Sequence, residues 1–199
     1  MKTLLSFALL CCIATLSYAQ SVVMTSGTTD FLKDQKVLQF AFTYNEMLVG
    51  KLTESEYVNK KTTEYNDKEA GKGDEWNKAW YGDRKERFEP KFLELFDKYM
   101  GEKGIISGTE GANYVIEINT DFTEPGWNVG VMRQNASIDL SCKVKNISTG
   151  EQVASIKVRN ASANNFWGAD FTSGYRVQET YAKAGRELAK FFIKKAKLK

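Results

Sequence analysis

The sequence predicts an α+β domain, a mainly antiparallel four-stranded sheet in β-α-β-β-β-α order with helices packed on one face. Two observations carry this prediction. Over 136–145, Ala136, Ile138, Leu140, Cys142 and Val144 alternate with Ser137, Asp139, Ser141, Lys143 and Lys145, the period of a strand with one buried and one wet face. Tyr114, Ile116, Ile118, Thr120 and Phe122 repeat the alternation upstream, and Ala154, Ile156 and Val158 repeat it downstream, so 114–161 reads as a three-stranded meander. Two helical stripes complete the pattern. Phe88, Phe92, Leu95, Phe96 and Tyr99 recur at three- and four-residue intervals, as do Val177, Tyr181, Ala184, Leu188, Phe191 and Phe192.

Taken in order, residues 1–19 combine one lysine, an apolar run from Leu4 to Leu16 and the small residues Ser17 and Ala19, the layout of a secretory signal peptide cut before Gln20. A lipoprotein signal ending at Cys11 or Cys12 is the rival reading; Leu10 stands where such signals want a small residue. Cleavage directs the mature chain to a periplasm or the extracellular space. Residues 20–34 are rich in Ser, Thr and Gly and read as a mobile leader. The single domain then occupies 35–199. Its first strand, 37–44, places Leu38, Phe40, Phe42 and Tyr44 on one parity, and a helical crossover would leave it parallel to the strand at 114–122.

Residues 53–90 form a polar helical excursion. Thr53 and Glu56 make a capping box that starts a helix over 54–67, with Tyr57, Val58 and Tyr65 as a thin apolar face. Gly71 and Gly73 end it, and Asp74 caps a short turn carrying Trp76, Trp80 and Tyr81. Pro90 opens the next helix and Gly101 stops it. The hairpin at 146–150 reverses the meander, and a final helix begins near Tyr175 with Thr172 or Ser173 as its cap.

Composition narrows function. The chain has 28 Lys and Arg against 25 Asp and Glu, a balance with no basic excess for nucleic acid. There is no histidine, which removes Ser-His-Asp and Cys-His nucleophiles and every His-ligated metal. No cofactor signature is present, and Gly71-Lys72-Gly73-Asp74 lacks the spacing and hydroxyl of a phosphate loop. Cys142, the one cysteine beyond the leader peptide, falls on the apolar parity and reads as a small buried hydrophobe rather than a reactive thiol. Carboxylate neighbours exist at Asp74 with Glu75, Glu94 with Asp97, and Glu117 with Asp121, so a carboxylate-based hydrolase stays as the least favoured reading. The Asn-x-Ser triplets at Asn135, Asn146 and Asn160 fit turns. The five lysines from Lys190 to Lys199 suit a helix C-terminus; weak attraction to an anionic surface is the alternative.

No catalytic, cofactor or metal residues are therefore assigned. The meander brings two aromatic loops to one end, one with Trp127 and one with Phe166, Trp167 and Phe171. These rings either plug the open end of the core or form a contact surface. The leading expectation is a non-enzymatic accessory protein that binds another macromolecule through this edge. The alternative is a carrier that holds an apolar small molecule between sheet and helices.

The order of elements, with Glu94-Leu95-Phe96-Asp97-Lys98-Tyr99, Gly111-Ala112-Asn113-Tyr114-Val115-Ile116-Glu117, Ser148-Thr149-Gly150-Glu151-Gln152-Val153 and Ala182-Lys183-Ala184-Gly185-Arg186-Glu187-Leu188-Ala189-Lys190, resembles bacterial cell-envelope α+β domains. These are of the kind found in uncharacterised envelope lipoproteins, the N-terminal domain of the Tol periplasmic protein and the curli secretion lipoprotein. The likeness spans 37–199; the 53–90 excursion and the lack of a lipid-attachment cysteine depart from it. The Tyr18-Ala19-Gln20 junction is similar to signal peptides of the Bacteroidetes. The resemblance implies a binding or assembly role beside an envelope protein, with no catalytic residues to carry over.

Overall fold

The computed structural model describes residues 20–129, 132–162 and 172–198. An α+β layering is observed, but the sheet is larger than four antiparallel strands. Eight strands form one mixed sheet: β1 (Ser21–Gly27), β2 (Val37–Thr43), β3 (Leu48–Val49), β4 (Leu52–Thr53), β5 (Ile106–Ser107), β6 (Tyr114–Glu124), β9 (Ser137–Asn146) and β10 (Gln152–Ser162). The main path runs β1-β10-β9-β6-β2-β5. From β1 to β6 the pairing is antiparallel; from β6 through β2 to β5 it is parallel. The alternation correctly marks the meander β6-β9-β10, and β2 lies beside β6 and parallel to it, Phe40 opposite Ile116. The extra strands are two-residue pieces and β1, all too short or too polar for period-two reading to detect.

The leader is the clearest correction. Residues 20–34, expected to be mobile, carry the edge strand β1, with Val22 opposite Val158, followed by a 3-10 turn at Asp30–Leu32 that buries Phe31 and Leu32. Strand pairing supplies backbone partners that a Ser- and Thr-rich segment cannot advertise in its side chains. Residues 1–19 lie outside the described residues.

The excursion is helical throughout. The helix α1 (Glu54–Asn66) opens on the expected capping box, Thr53 Oγ1 accepting the Glu56 N–H and Glu56 Oε2 accepting the Thr53 N–H at 2.9 Å. The expected short turn is instead a full helix, α2 (Lys72–Asp83), entered through Gly71 with no side-chain cap from Asp74. A π turn, Arg84–Phe88, joins it without a break to α3 (Glu89–Met100). The extra residue of that turn sits just before Pro90, which has no N–H with which to continue an i to i−4 ladder.

The last helix, α4 (Ser173–Ala196), is capped by Thr172 and lies on the same face of the sheet as α3. Between helices and sheet lie Phe92, Phe96, Leu188, Phe192, Ile116, Ile118, Ile138 and Val144, all 0% exposed. The rings meet edge to face, Phe40 with Phe96 at 4.8 Å and Phe42 with Phe92 at 5.4 Å, the geometry favoured by aromatic quadrupoles. The two helices cross at Gly185, where a Cβ would lie 2.2 Å from the Phe92 carbonyl oxygen. Only glycine permits that approach.

One parity reading is corrected inside β6. The ladder with β9 shifts register between Thr120 and Phe122, so Thr123, opposite Ile138, turns inward and Phe122, opposite Asp139, does not. A bulge reverses the alternation that follows it, and nothing in Thr120-Asp121-Phe122 announces one. Cys142 is buried as expected, and that burial pushes its thiol up to about 12. It should therefore resist iodoacetamide at pH ~8 while folded and alkylate quickly in denaturant; fast labelling of the native protein would place the thiol elsewhere.

Candidate contact surface

Beyond the end of the sheet, the β6–β9 hairpin continues as a narrow ribbon. Its strands, β7 (Trp127–Val129) and β8 (Met132–Gln134), pair among the described residues only with each other, Trp127 opposite Gln134 and Val129 opposite Met132. Trp127 is 40% exposed, Val129 61% and Met132 62%. Large apolar side chains at such exposure on three-residue strands have no core to serve. The Trp127 indole N–H donates to Gln134 Oε1 at 3.0 Å, which holds the ring against its own ribbon while leaving it open to water.

The ribbon is held at its base. Pro125 is buried, and the first turn of α4 reaches across to it: Arg176 Nε donates to the Pro125 carbonyl at 2.9 Å and a second guanidinium nitrogen to the Gly126 carbonyl at 3.0 Å. Gly126 has φ +66°, and a Cβ there would lie 2.5 Å from the Gln134 carbonyl oxygen, so the crossing of the two chains requires glycine. Trp127 itself is not buried in the core. Phe166, Trp167 and Phe171, placed at the same edge by the meander, lie outside the described residues.

A second cluster was legible in the sequence as residues but not as a meeting of two helices. Tyr57, Tyr65, Trp76 and Trp80 pack between α1 and α2, with Trp76 and Trp80 stacked at 5.5 Å, over a small core of Met47, Val49 and Val58. The excursion expected to lie loosely on the domain therefore has its own apolar centre. Its signal was the i, i+4 spacing of the two tryptophans opposite Tyr57. Arg84 ties this centre to the sheet: its guanidinium lies 4.0 Å from the centre of the Tyr44 ring and 4.9 Å from that of Tyr81, and it pairs with Glu54, which also accepts the Trp80 indole N–H at 2.6 Å. Beneath it Tyr44 donates to Glu89 at 3.4 Å, and Tyr181 bonds Thr120 at 2.7 Å. Burial raises both phenols well above the ordinary tyrosine range, so they remain neutral.

Of the carboxylate neighbours, Glu94 and Asp97 turn to different partners, whereas Glu117 and Asp121 border one hollow on the open face of the sheet. Glu94 pairs with Lys91, while Asp97 accepts the Ser107 N–H and hydroxyl, fastening α3 to β5. Glu117 pairs with Lys145 across the sheet, and Asp121 accepts from Asn119 and Ser141. A hollow of ≈450 Å³ beside α3 and α4 gathers Lys91, Lys183 and Arg186. Lys91 faces Glu94 at 2.8 Å, while Lys183, at 3.6 Å, and Arg186, at 3.1 Å, share Glu187. The seat expected for an apolar ligand, between sheet and helices, is filled by Phe92, Phe96, Leu188 and Phe192. No helix among the described residues is long and apolar enough to cross a membrane.

No family model matches the chain, and no curated protein matches it. Among solved structures it is similar to the PelC dodecamer subunit of Paraburkholderia phytofirmans, at 10% identity and a TM-score of 0.38 over 82% of this chain and 97% of that one. It is also similar to a DUF330 protein of Xanthomonas campestris, at 13% identity and a TM-score of 0.34 over 51% of this chain and 58% of that one.

Proposed function

We propose that this protein is an exported, non-enzymatic accessory protein of a cell envelope that grips another envelope protein through the β7–β8 ribbon. The observation that carries the reading is the ribbon itself: Trp127, Val129 and Met132 stand in water on a strand pair that the fold anchors through Arg176. Rigid aromatic and methionine side chains give much contact area for little lost entropy, which is why such groups dominate binding energy at interfaces. Export rests on the layout of residues 1–19, and a role without catalysis rests on a sequence that offers no histidine and no nucleophile motif.

Native mass spectrometry of the protein isolated from its own cells tests both parts. A mature mass beginning at Gln20 is expected, in a discrete complex that Trp127→Ser with Met132→Ser abolishes while the melting temperature stays within about 1 °C, as for surface changes generally. Val23→Ser, at another exposed apolar position, should leave the complex intact. A complex that survives the double substitution, or a double variant that melts markedly lower, would show the ribbon to be structural.

A further inference from the structure

The uncovered face of the sheet carries a second feature, independent of the ribbon. Asp139, in the middle strand of the meander, is flanked by irregularities on both sides: β6 shifts register between Thr120 and Phe122, and β10 between Val158 and Ala161. Asn160 in the second bulge has φ +49° and donates its backbone N–H to Asp139 Oδ1 at 2.6 Å. Bulges re-aim side chains, and two of them at one level, in the strands on either side of β9, open a hollow instead of a flat pleat. That hollow has a volume of ≈730 Å³ and is lined by Ser21, Asp121, Phe122, Asp139, Lys157 and Arg159 among others. It lies within the range typical of ligand sites.

Its chemistry is interleaved. Asp121 and Asp139 accept, Lys157 and Arg159 donate, and Phe122 adds an apolar patch. The two charges of each sign cancel, so the hollow has no net attraction for a simple ion. A group that both donates and accepts at every position meets this lining best, and a sugar hydroxyl is such a group. Fixed partners hold the acceptors in place: Asn119 donates to Asp121 at 2.9 Å, Ser141 also donates to it, and Lys157 stands 4.0 Å away. A neighbouring hollow of ≈490 Å³ shares Asp121 and adds Asn119, Ser141, Glu117, Lys143 and Glu46. Two polar hollows in a row on one face suit a ligand of repeating units.

We infer that the open face of the sheet binds a neutral oligosaccharide, one sugar in the hollow at Asp139 and the next toward Asn119, with Asp121 between them. Maltohexaose, cellohexaose and hexa-N-acetylchitohexaose, each at about 1 mM, are the probes for saturation-transfer NMR, a concentration suited to weak sugar affinities. At least one is expected to bind, and Arg159→Ala and Lys157→Ala, both at solvent-facing positions, should each weaken it about tenfold or more. Asp139→Asn should weaken it as well while the melting curve reports whether the bulge survives. Trp127→Ser with Met132→Ser should bind the sugar as the native protein does, which separates this site from the ribbon. Transfer to none of the three sugars, equal binding by the Arg159 and Lys157 variants, or transfer to trialanine in place of the sugars would overturn the assignment.

Discussion

Phe92→Ala is expected to destabilise the protein by about 3–5 kcal/mol, the cost of removing a fully buried ring from a packed core. Phe92 is 0% exposed, stacks beside Phe96, meets Phe40 and Phe42 edge to face, and carries the carbonyl against which Gly185 of α4 is pressed. Little can collapse into the space it leaves, because the helices are already held at their closest approach. For a chain of this size the melting temperature should fall by roughly 10 °C. Phe191→Ala, on the half-buried side of α4, should cost far less. Urea titration of both variants decides the matter. A loss under about 1 kcal/mol for Phe92→Ala would mean that the core can repack around the gap.

Arg84→Ala is the second large effect, and it should be local. The substitution leaves the Glu54 carboxylate, only 16% exposed, with the Trp80 N–H as its remaining partner, and it removes the plate between Tyr44 and Tyr81. Leaving one member of a buried pair behind costs about 3 kcal/mol or more. The loss should fall on the contact between the excursion and the sheet. Hydrogen exchange is expected to quicken over α1 and α2 and to stay slow in β9, with Trp76 and Trp80 fluorescence moving to the red. Arg84→Lys should not restore the contact, since an ammonium cannot stack between two rings. Uniformly faster exchange would show that the excursion and the sheet unfold as one unit.

The meander, both amphipathic helices, the capping box at Thr53 and the parallel placement of β2 were legible because each follows from side-chain periodicity or from a cap with its own chemistry. What escaped depended on backbone. β1 joins the sheet through hydrogen bonds that any sequence can make, so Ser21 to Gly27 reads as a leader until its partner β10 is known. The bulges at Asp121 and Asn160 insert a residue without a residue type that demands it. The candidate surface divides the same way: Trp127 was found by composition and topology together, whereas the hollow at Asp139 exists only because two strands lose register at one level. The tryptophans of α2 were visible as residues, but their meeting with Tyr57 depends on how two helices turn back on each other.

The pairing of β1 with β10 sets an order of events. Ser21 finds its place opposite Arg159, and nearly the whole domain lies between them in the chain. A ribosome releases the first strand long before it releases the partner, and α4, which seals Phe192 over the core, comes later still. The edge strand therefore waits unpaired while the rest is synthesised, and the final closure joins the two extremities of the domain at once. Long-range closures of this kind are slow, because loop entropy is lost before contacts return it. A chain arranged so leaves its leading strand without a sheet partner, and available to whatever handles it, until β10 is made.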